Sequence, residues 1–272
     1  MAQLIDLFVG PAFVLTGRQV FTFNFANKNK IEYNLVSETK KKYFAKSYSD
    51  NFKFDRKDKF WDLFEKMSLK DLSDPDLDCE NYYHFYQTAE AIRKDGHPEW
   101  MQLVGLIHDF GKILYLKGCK EDGTTEDTQW GIVGDTFIVG CRVPNTIVFP
   151  EFNKYVKGNF DRLGIYKKGF GLNNVYCSFG HDEYLYRLLK FNNIKLPEEA
   201  YYMIRFHSLY LWHDKNEYEF LEDQTDKKMK PFVKLFNKYD LYTKDNDNKD
   251  INQLKNYYQK LVKKFIPEYI YW

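Results

Sequence analysis

The stretch from Glu99 to Leu114 constrains this chain more than any other. Trp100, Leu103, Val104, Leu106, Ile107, Phe110, Ile113 and Leu114 put apolar groups on every side of one predicted helix. A helix that is apolar all round has to be buried at the centre of a larger body. Pro98 precedes it, at a position suited to a helix start. Yet the same helix carries His108, Asp109 and Lys112. Lys112 lies four residues after His108 and three after Asp109, so the three share a face. Burying a bare carboxylate or ammonium is expensive even after relaxation. Such groups pair with each other or meet a metal, and this helix alone leaves both readings open.

The same violation recurs along the chain. His181 shares a helical stripe with Tyr184, Leu185 and Leu188, and His207 with Ala200, Met203, Ile204 and Leu211. Asp240 sits on the stripe of Met229, Phe232, Val233 and Phe236, and His84 has Gln87, Thr88 and Ala91 at helical spacing. Each alone reads as a satisfied core residue. Together, four of the six histidines and two aspartates would each need a separate buried partner, whereas one shared metal centre satisfies them all. More ligands than one ion needs points to two ions, with Asp109 as the natural bridge. No thiolate is in the set, which excludes a structural zinc site of the usual kind. Imidazole with carboxylate suits iron, zinc or manganese, and the residues do not choose among them. His97 beside Pro98 and His213 at a helix end read as surface residues.

The remaining pattern is helix upon helix. Helices are expected over 82–94, 99–114, from about 181, from 198 to about 212, over 226–242 and over 251–265. Asp182 and Glu183 suit the positive end of the third, and Pro231 sits in the first turn of the fifth or bends it. Strand alternation is confined to a brief stretch at 147–149, and no internal repeat is visible. The glycine-rich segment 117–180 is too long for a bland connection and is expected to carry function. With 272 residues, 44% hydrophobic and 29% charged, global disorder is excluded. Forty basic against 39 acidic residues give no charge excess to hold nucleic acid. No run of about 18 apolar residues suggests a membrane span. The apolar start lacks the basic region of a signal peptide, and Cys79, Cys119, Cys141 and Cys177 are too scattered for a disulfide scaffold. A cytoplasmic protein is expected.

The order His84, His108-Asp109, His181, His207, Asp240 resembles the HD-domain pattern of helical metalloproteins. The flanking strings narrow the resemblance: Ser73-Asp74-Pro75-Asp76, Gln87-Thr88-Ala89-Glu90, Leu103 through Lys112, Val133-Gly134-Asp135-Thr136-Phe137, Gly180 through Tyr184, Met203 through Ser208, and Phe236 through Lys244. These closely resemble the inositol oxygenase family, over about residues 60–272. The resemblance implies an all-α HD-domain bundle spanning 56–272, preceded by a divergent N-terminal arm over 1–55. It implies two iron ions in a mixed-valent Fe(II)/Fe(III) state. One would take His84, His108, Asp109 and Asp240; the other would take His181, His207 and the bridging Asp109. It further implies cleavage of myo-inositol by O2 to D-glucuronate, with Asp109 and Lys112 in the catalytic machinery. Substrate contacts would come from Asp71, Ser73, Lys112, Gly134, Asp135, His207, Ser208 and Lys244. A monomer is expected, without nucleic-acid or membrane partners. Two departures stand out. Leu72 occupies a place that is acidic in the family's motif. Residues 1–55 hold no identifiable counterpart of the family's Arg-bearing arm that closes over substrate, Ile31 to Asn34 being a poor stand-in. The rival reading is an HD-type phosphohydrolase using the same six ligands, disfavoured because no pair of arginines converges on them.

Overall fold

The computed structural model describes residues 53–67, 81–118, 124–125, 131–147, 150, 153, 161–242 and 251–272. Asp71, Leu72, Ser73, Lys244 and the whole arm up to residue 52 lie outside them. The architecture is all-α. Strand β1 (Lys57–Lys59) leads into α1 (Phe60–Lys66), α2 (Asn81–Lys94), α3 (Glu99–Ile107) and a 3₁₀ helix (Phe110–Lys117). Strands β2 (Ile138–Val139) and β3 (Tyr176–Cys177) follow, then α4 (His181–Phe191), α5 (Glu198–Phe206), α6 (Tyr210–His213), α7 (Gln224–Tyr242), α8 (Ile251–Phe265) and β4 (Tyr269–Tyr271). The strands form two small antiparallel pairs: β1 with β4, and β2 with β3. Ile147, expected to begin a strand, lies in a bend instead.

Helix α3 is the central element, as its all-round apolarity requires. Every residue from Met101 to Ile107 is buried. Helix α2 packs on α3, the 3₁₀ helix packs on α4, and α5 packs on α4 and α7. Gly105 makes the first of these approaches possible: a Cβ there would fall 2.8 Å from Ile92 Cδ1 and 3.0 Å from Ala89 Cα. Gly111 makes the second possible. A Cβ on it would lie 1.8 Å from the His181 carbonyl oxygen, a distance no side chain tolerates.

Two predicted helices are shorter than the apolar pattern suggests. The one expected over 99–114 stops at Ile107, turns through His108 and Asp109, and resumes as the 3₁₀ helix. The one expected over 198 to 212 stops at Phe206, turns through His207 and Ser208, and resumes as α6. Both nine-residue helices start from an extended proline, Pro98 or Pro197. Both end in a histidine whose Nδ1 lies 2.9 Å from the carbonyl three residues back, Gly105 for His108 and Ile204 for His207. The same device is thus used twice, although the two sequences share little beyond Pro-Glu and the histidine. Helix α7 runs through exposed Pro231. It opens with a reciprocal cap, Asp226 N–H to Asp223 Oδ1 (2.9 Å) and Asp223 N–H to Asp226 Oδ2 (2.8 Å). Cys141 and Cys177 are buried. No helix among the described residues is long and apolar enough to cross a membrane.

Candidate metal centre

Six of the residues singled out in the sequence converge. His84 comes from α2, His108 and Asp109 from the turn after α3, His181 from the first turn of α4, His207 from the turn after α5, and Asp240 from the last turns of α7. All six are at least 96% buried. Asp240 Oδ1 lies 3.0 Å from His84 Nε2 and 3.1 Å from His108 Nε2, and these two nitrogens are 3.2 Å apart. On the other side, Asp109 Oδ1 lies 3.1 Å from His181 Nε2 and 3.5 Å from His207 Nε2. Asp109 Oδ2 turns the opposite way, 3.7 Å from His108 Nε2 and 2.9 Å from Lys112 Nζ. Asp109 therefore has one oxygen toward each group. The donor atoms of His84, His108 and Asp109 lie within 4.8 Å of one another, as do those of Asp109, His181 and His207.

The hydrogen-bond chemistry tests whether cations fit. Carbonyl oxygens only accept, so Nδ1 must donate in His108 (to Gly105), in His207 (to Ile204) and in His181 (to Ile132, 2.9 Å). A neutral imidazole that donates from Nδ1 has a bare lone pair at Nε2. His181 and His207 nevertheless point Nε2 at Nε2 across 3.1 Å, and two lone pairs cannot bond each other. Ionised carboxylates add only further acceptors. A cluster of converging acceptors can hold a cation, and imidazoles oriented by backbone carbonyls are the usual supporting arrangement for metal ligands.

Both carboxylates are held in their charged form. Burial disfavours charge on Asp109, but Lys112 and then His108 overcome it and hold the carboxyl well below its ordinary range. Burial likewise opposes charge on Asp240, and His108 and His84 overcome it with the same result. Burial pushes the His84 imidazole below its ordinary value. It works against His207 as well, but Asp109 carries that ring above its ordinary value. Lys112 is the buried cation of the site, 2% exposed. In a 3₁₀ helix, side chains three residues apart eclipse, which sets Lys112 over Asp109 just in front of the helix.

The glycine-rich segment is stitched to this centre. The Ile132 carbonyl accepts from both the backbone N–H (2.8 Å) and Nδ1 of His181, and Thr136 N–H donates to the Ser208 carbonyl (2.8 Å). Half-buried Gly134 and Asp135 lie on the span between these anchors. Asp182 and Glu183 do not face solvent at the helix start. Asp182 is fully buried and accepts from Thr136 Oγ1 at 2.5 Å. Glu183 is gripped by Arg205 at 2.7 Å and Arg187 at 2.8 Å.

His213 departs most from expectation. It is not at the surface but 3% exposed, with Nε2 3.0 Å from the His207 carbonyl oxygen, and burial pushes its imidazole down to about 4. Asn237 Nδ2 reaches the same oxygen at 3.1 Å. Neither residue was visible from the sequence. The break after α5 that frees this carbonyl has no propensity signal, and Asn237 is an ordinary polar residue three positions before Asp240. His97 does lie near the surface, with Nε2 2.6 Å from Tyr239 Oη.

Comparison with known proteins identifies the family. The model of the family described as myo-inositol oxygenase matches residues 19–272, reaching back into the segment 1–55. The inositol oxygenase of Danio rerio is 48% identical over 214 residues, which is 75% of this chain and 73% of that protein. That of Homo sapiens is 46% identical over 212 residues, 75% of this chain and 71% of that protein. The inositol oxygenase of Dictyostelium discoideum is 43% identical over 249 residues, 88% of this chain and 82% of that protein. This chain belongs to the myo-inositol oxygenase family.

Proposed function

We propose that the chain is a di-iron oxygenase that opens the ring of myo-inositol with O2 to give D-glucuronate. The observation that supports this most is the facing pair of His181 and His207 Nε2 atoms, each on a ring whose Nδ1 is engaged by a backbone carbonyl. In this reading His84, His108 and Asp240 would hold one iron, His181 and His207 would hold the other, and Asp109 would serve both. Bound iron supplies the redox chemistry, activating O2 and passing it the four electrons that ring cleavage releases. Atoms balance without an external reductant, since myo-inositol and O2 together equal glucuronic acid and water.

The chain's own residues bind, orient and exclude water. Lys112 is a buried donor at the edge of the centre, able to orient a substrate hydroxyl and stabilise charge growing on its oxygen. A neutral polyol offers only hydroxyls, so fixed donors and acceptors suit it better than an arginine cage. Gly134, Asp135 and Ser208 are the contacts proposed near the centre, with Asp71, Ser73 and Lys244 proposed beyond the described residues. The catalytic body is taken as 56–272, its ends joined by the pairing of Lys57–Lys59 with Tyr269–Tyr271. A cytoplasmic monomer fits this reading.

The phosphohydrolase alternative needs cations free to grip phosphate. Arg187 and Arg205 are both committed to Glu183, and Arg205 also to the carbonyls of Leu172, Asn173 and Val175. Iron analysis combined with O2 uptake on adding myo-inositol tests the proposal. Two irons per chain and one glucuronate per O2 are expected. An iron-loaded protein that consumes no O2 with inositol, or that hydrolyses phosphate esters instead, sinks it.

A further inference from the structure

We infer that His213 and Asn237 are positioning residues, a two-donor clamp on the His207 carbonyl that sets the angle at which His207 enters the centre. The inference rests on the functional reading above and assigns to it two residues outside the ligand set. Helix α5 ends at Phe206, and the chain swings away through His207 and Ser208 before α6. A backbone carbonyl turned out of a helix in a buried place has to find donors. The Ser208 carbonyl finds Thr136 N–H at 2.8 Å. The His207 carbonyl is met by two side chains, His213 Nε2 at 3.0 Å and Asn237 Nδ2 at 3.1 Å.

The two donors come from different helices and meet side by side, 3.4 Å apart. His213 belongs to α6, which the break itself creates. Asn237 belongs to α7, three residues before Asp240. Asn237 also donates to the Val233 carbonyl at 3.3 Å, which fixes its amide on its own helix. The helix that supplies a ligand to one metal group is thereby bonded to the backbone of a ligand in the other. The Nδ1 bond to the Ile204 carbonyl holds the His207 ring, and the two donors hold the backbone from which it hangs.

The clamp predicts a selective defect. His213→Leu removes one donor, and His213→Gln returns an N–H near the place of Nε2. Anaerobic Fe(II) titration of metal-free protein reads the two equivalents separately. Wild type should take up two. His213→Leu should hold one as wild type does and bind the other about 10- to 100-fold more weakly, the usual effect of losing a partner that orients a ligand. His213→Gln should recover to within a few-fold, and Asn237→Ala should show the same selective loss in milder form. A bystander role would instead lower thermal stability and both equivalents together, with no rescue by Gln. Both equivalents intact in a folded His213→Leu protein overturn the clamp. If that variant does not fold, both equivalents intact in Asn237→Ala overturn it equally. Wild-type protein that binds no iron overturns the functional reading itself, and the clamp with it, so the two failures are told apart.

Discussion

Lys112 holds two jobs in one ammonium, and a single substitution separates them. It is the ion-pair partner of Asp109 at 2.9 Å and the donor proposed for substrate. Lys112→Met keeps the volume and removes the charge. In metal-free protein this leaves a buried carboxylate short of its main counter-charge, and stability should fall by about 3–5 kcal/mol. Loaded with iron, Asp109 is compensated again, so the melting difference should shrink while catalytic efficiency stays roughly 10- to 150-fold down, the loss of one charged hydrogen bond. Equal melting differences with and without metal would refute the shared role. His213 gives a second test, by pH. Its folded value of about 4 lies below the ordinary 6.5, so between these pH values the unfolded chain takes up a proton that the folded chain refuses. That stability is present in full above 6.5 and is lost as pH falls toward 4. The loss is roughly 3 kcal/mol at about 1.4 kcal/mol per unit. Unfolding of metal-free wild type and His213→Gln at stepped pH should show a slope smaller by this amount in the second, where only the share of groups such as His84 remains. At this scale five of the six converging residues were legible because each breaks an apolar stripe, and His84, flanked by Gln87, Thr88 and Ala91, was legible only beside them. His213 and Asn237 break none, since a helix end and a polar flank are where such residues ordinarily belong.

The helices were readable wherever periodicity continued and misread where it continued but the backbone did not. Apolar residues run on from Phe110 to Leu114 and from Leu209 to Trp212, so the pattern hides both turns. What stops each helix is a histidine side chain bonding back to its own last turn, a contact that composition does not announce. Gly111 is the other hidden determinant. Gly111→Ala should drive the 3₁₀ helix away from α4, because its Cβ would meet the His181 carbonyl at 1.8 Å. Overpacking of this kind costs about 1–3 kcal/mol or more, and it would part Asp109 from His181. Loss of iron uptake larger than the loss of stability is expected, as read by metal analysis and denaturant titration. Gly96→Ala is the control: its φ of 74° makes the substitution strained, but no atom lies within 4 Å of the added Cβ. It should lower stability modestly and leave iron uptake unchanged; parallel metal loss in both variants would remove the special place given to Gly111.

The described residues are tied together by the pairing of β1 with β4 and by the convergence of six side chains at the centre. Trp272 is 3% exposed, bonds Asp58 through Nε1 at 2.7 Å, and is joined through its backbone to Arg56 and to Lys117, at the end of the 3₁₀ helix. Removing residues 268–272 should therefore lower the melting temperature and weaken metal binding together, although no deleted residue is a ligand; unchanged iron affinity would show that the closure is local. Metal that binds only the folded chain should add about 2.7 kcal/mol when free metal is one hundred times its dissociation constant, so a chelator should lower the melting temperature of wild type and leave Asp109→Asn nearly unaffected. The paired proline-to-histidine helices have a consequence for how this chain can change. Each works as a ruler: counting starts at a proline and the tenth residue is delivered to the centre. One residue more or fewer turns that histidine by about 100° around the helix axis. Apolar exchanges within either interval are a matter of volume, but a single insertion or deletion sends the ligand to the wrong side of its helix, so length is held there more tightly than identity.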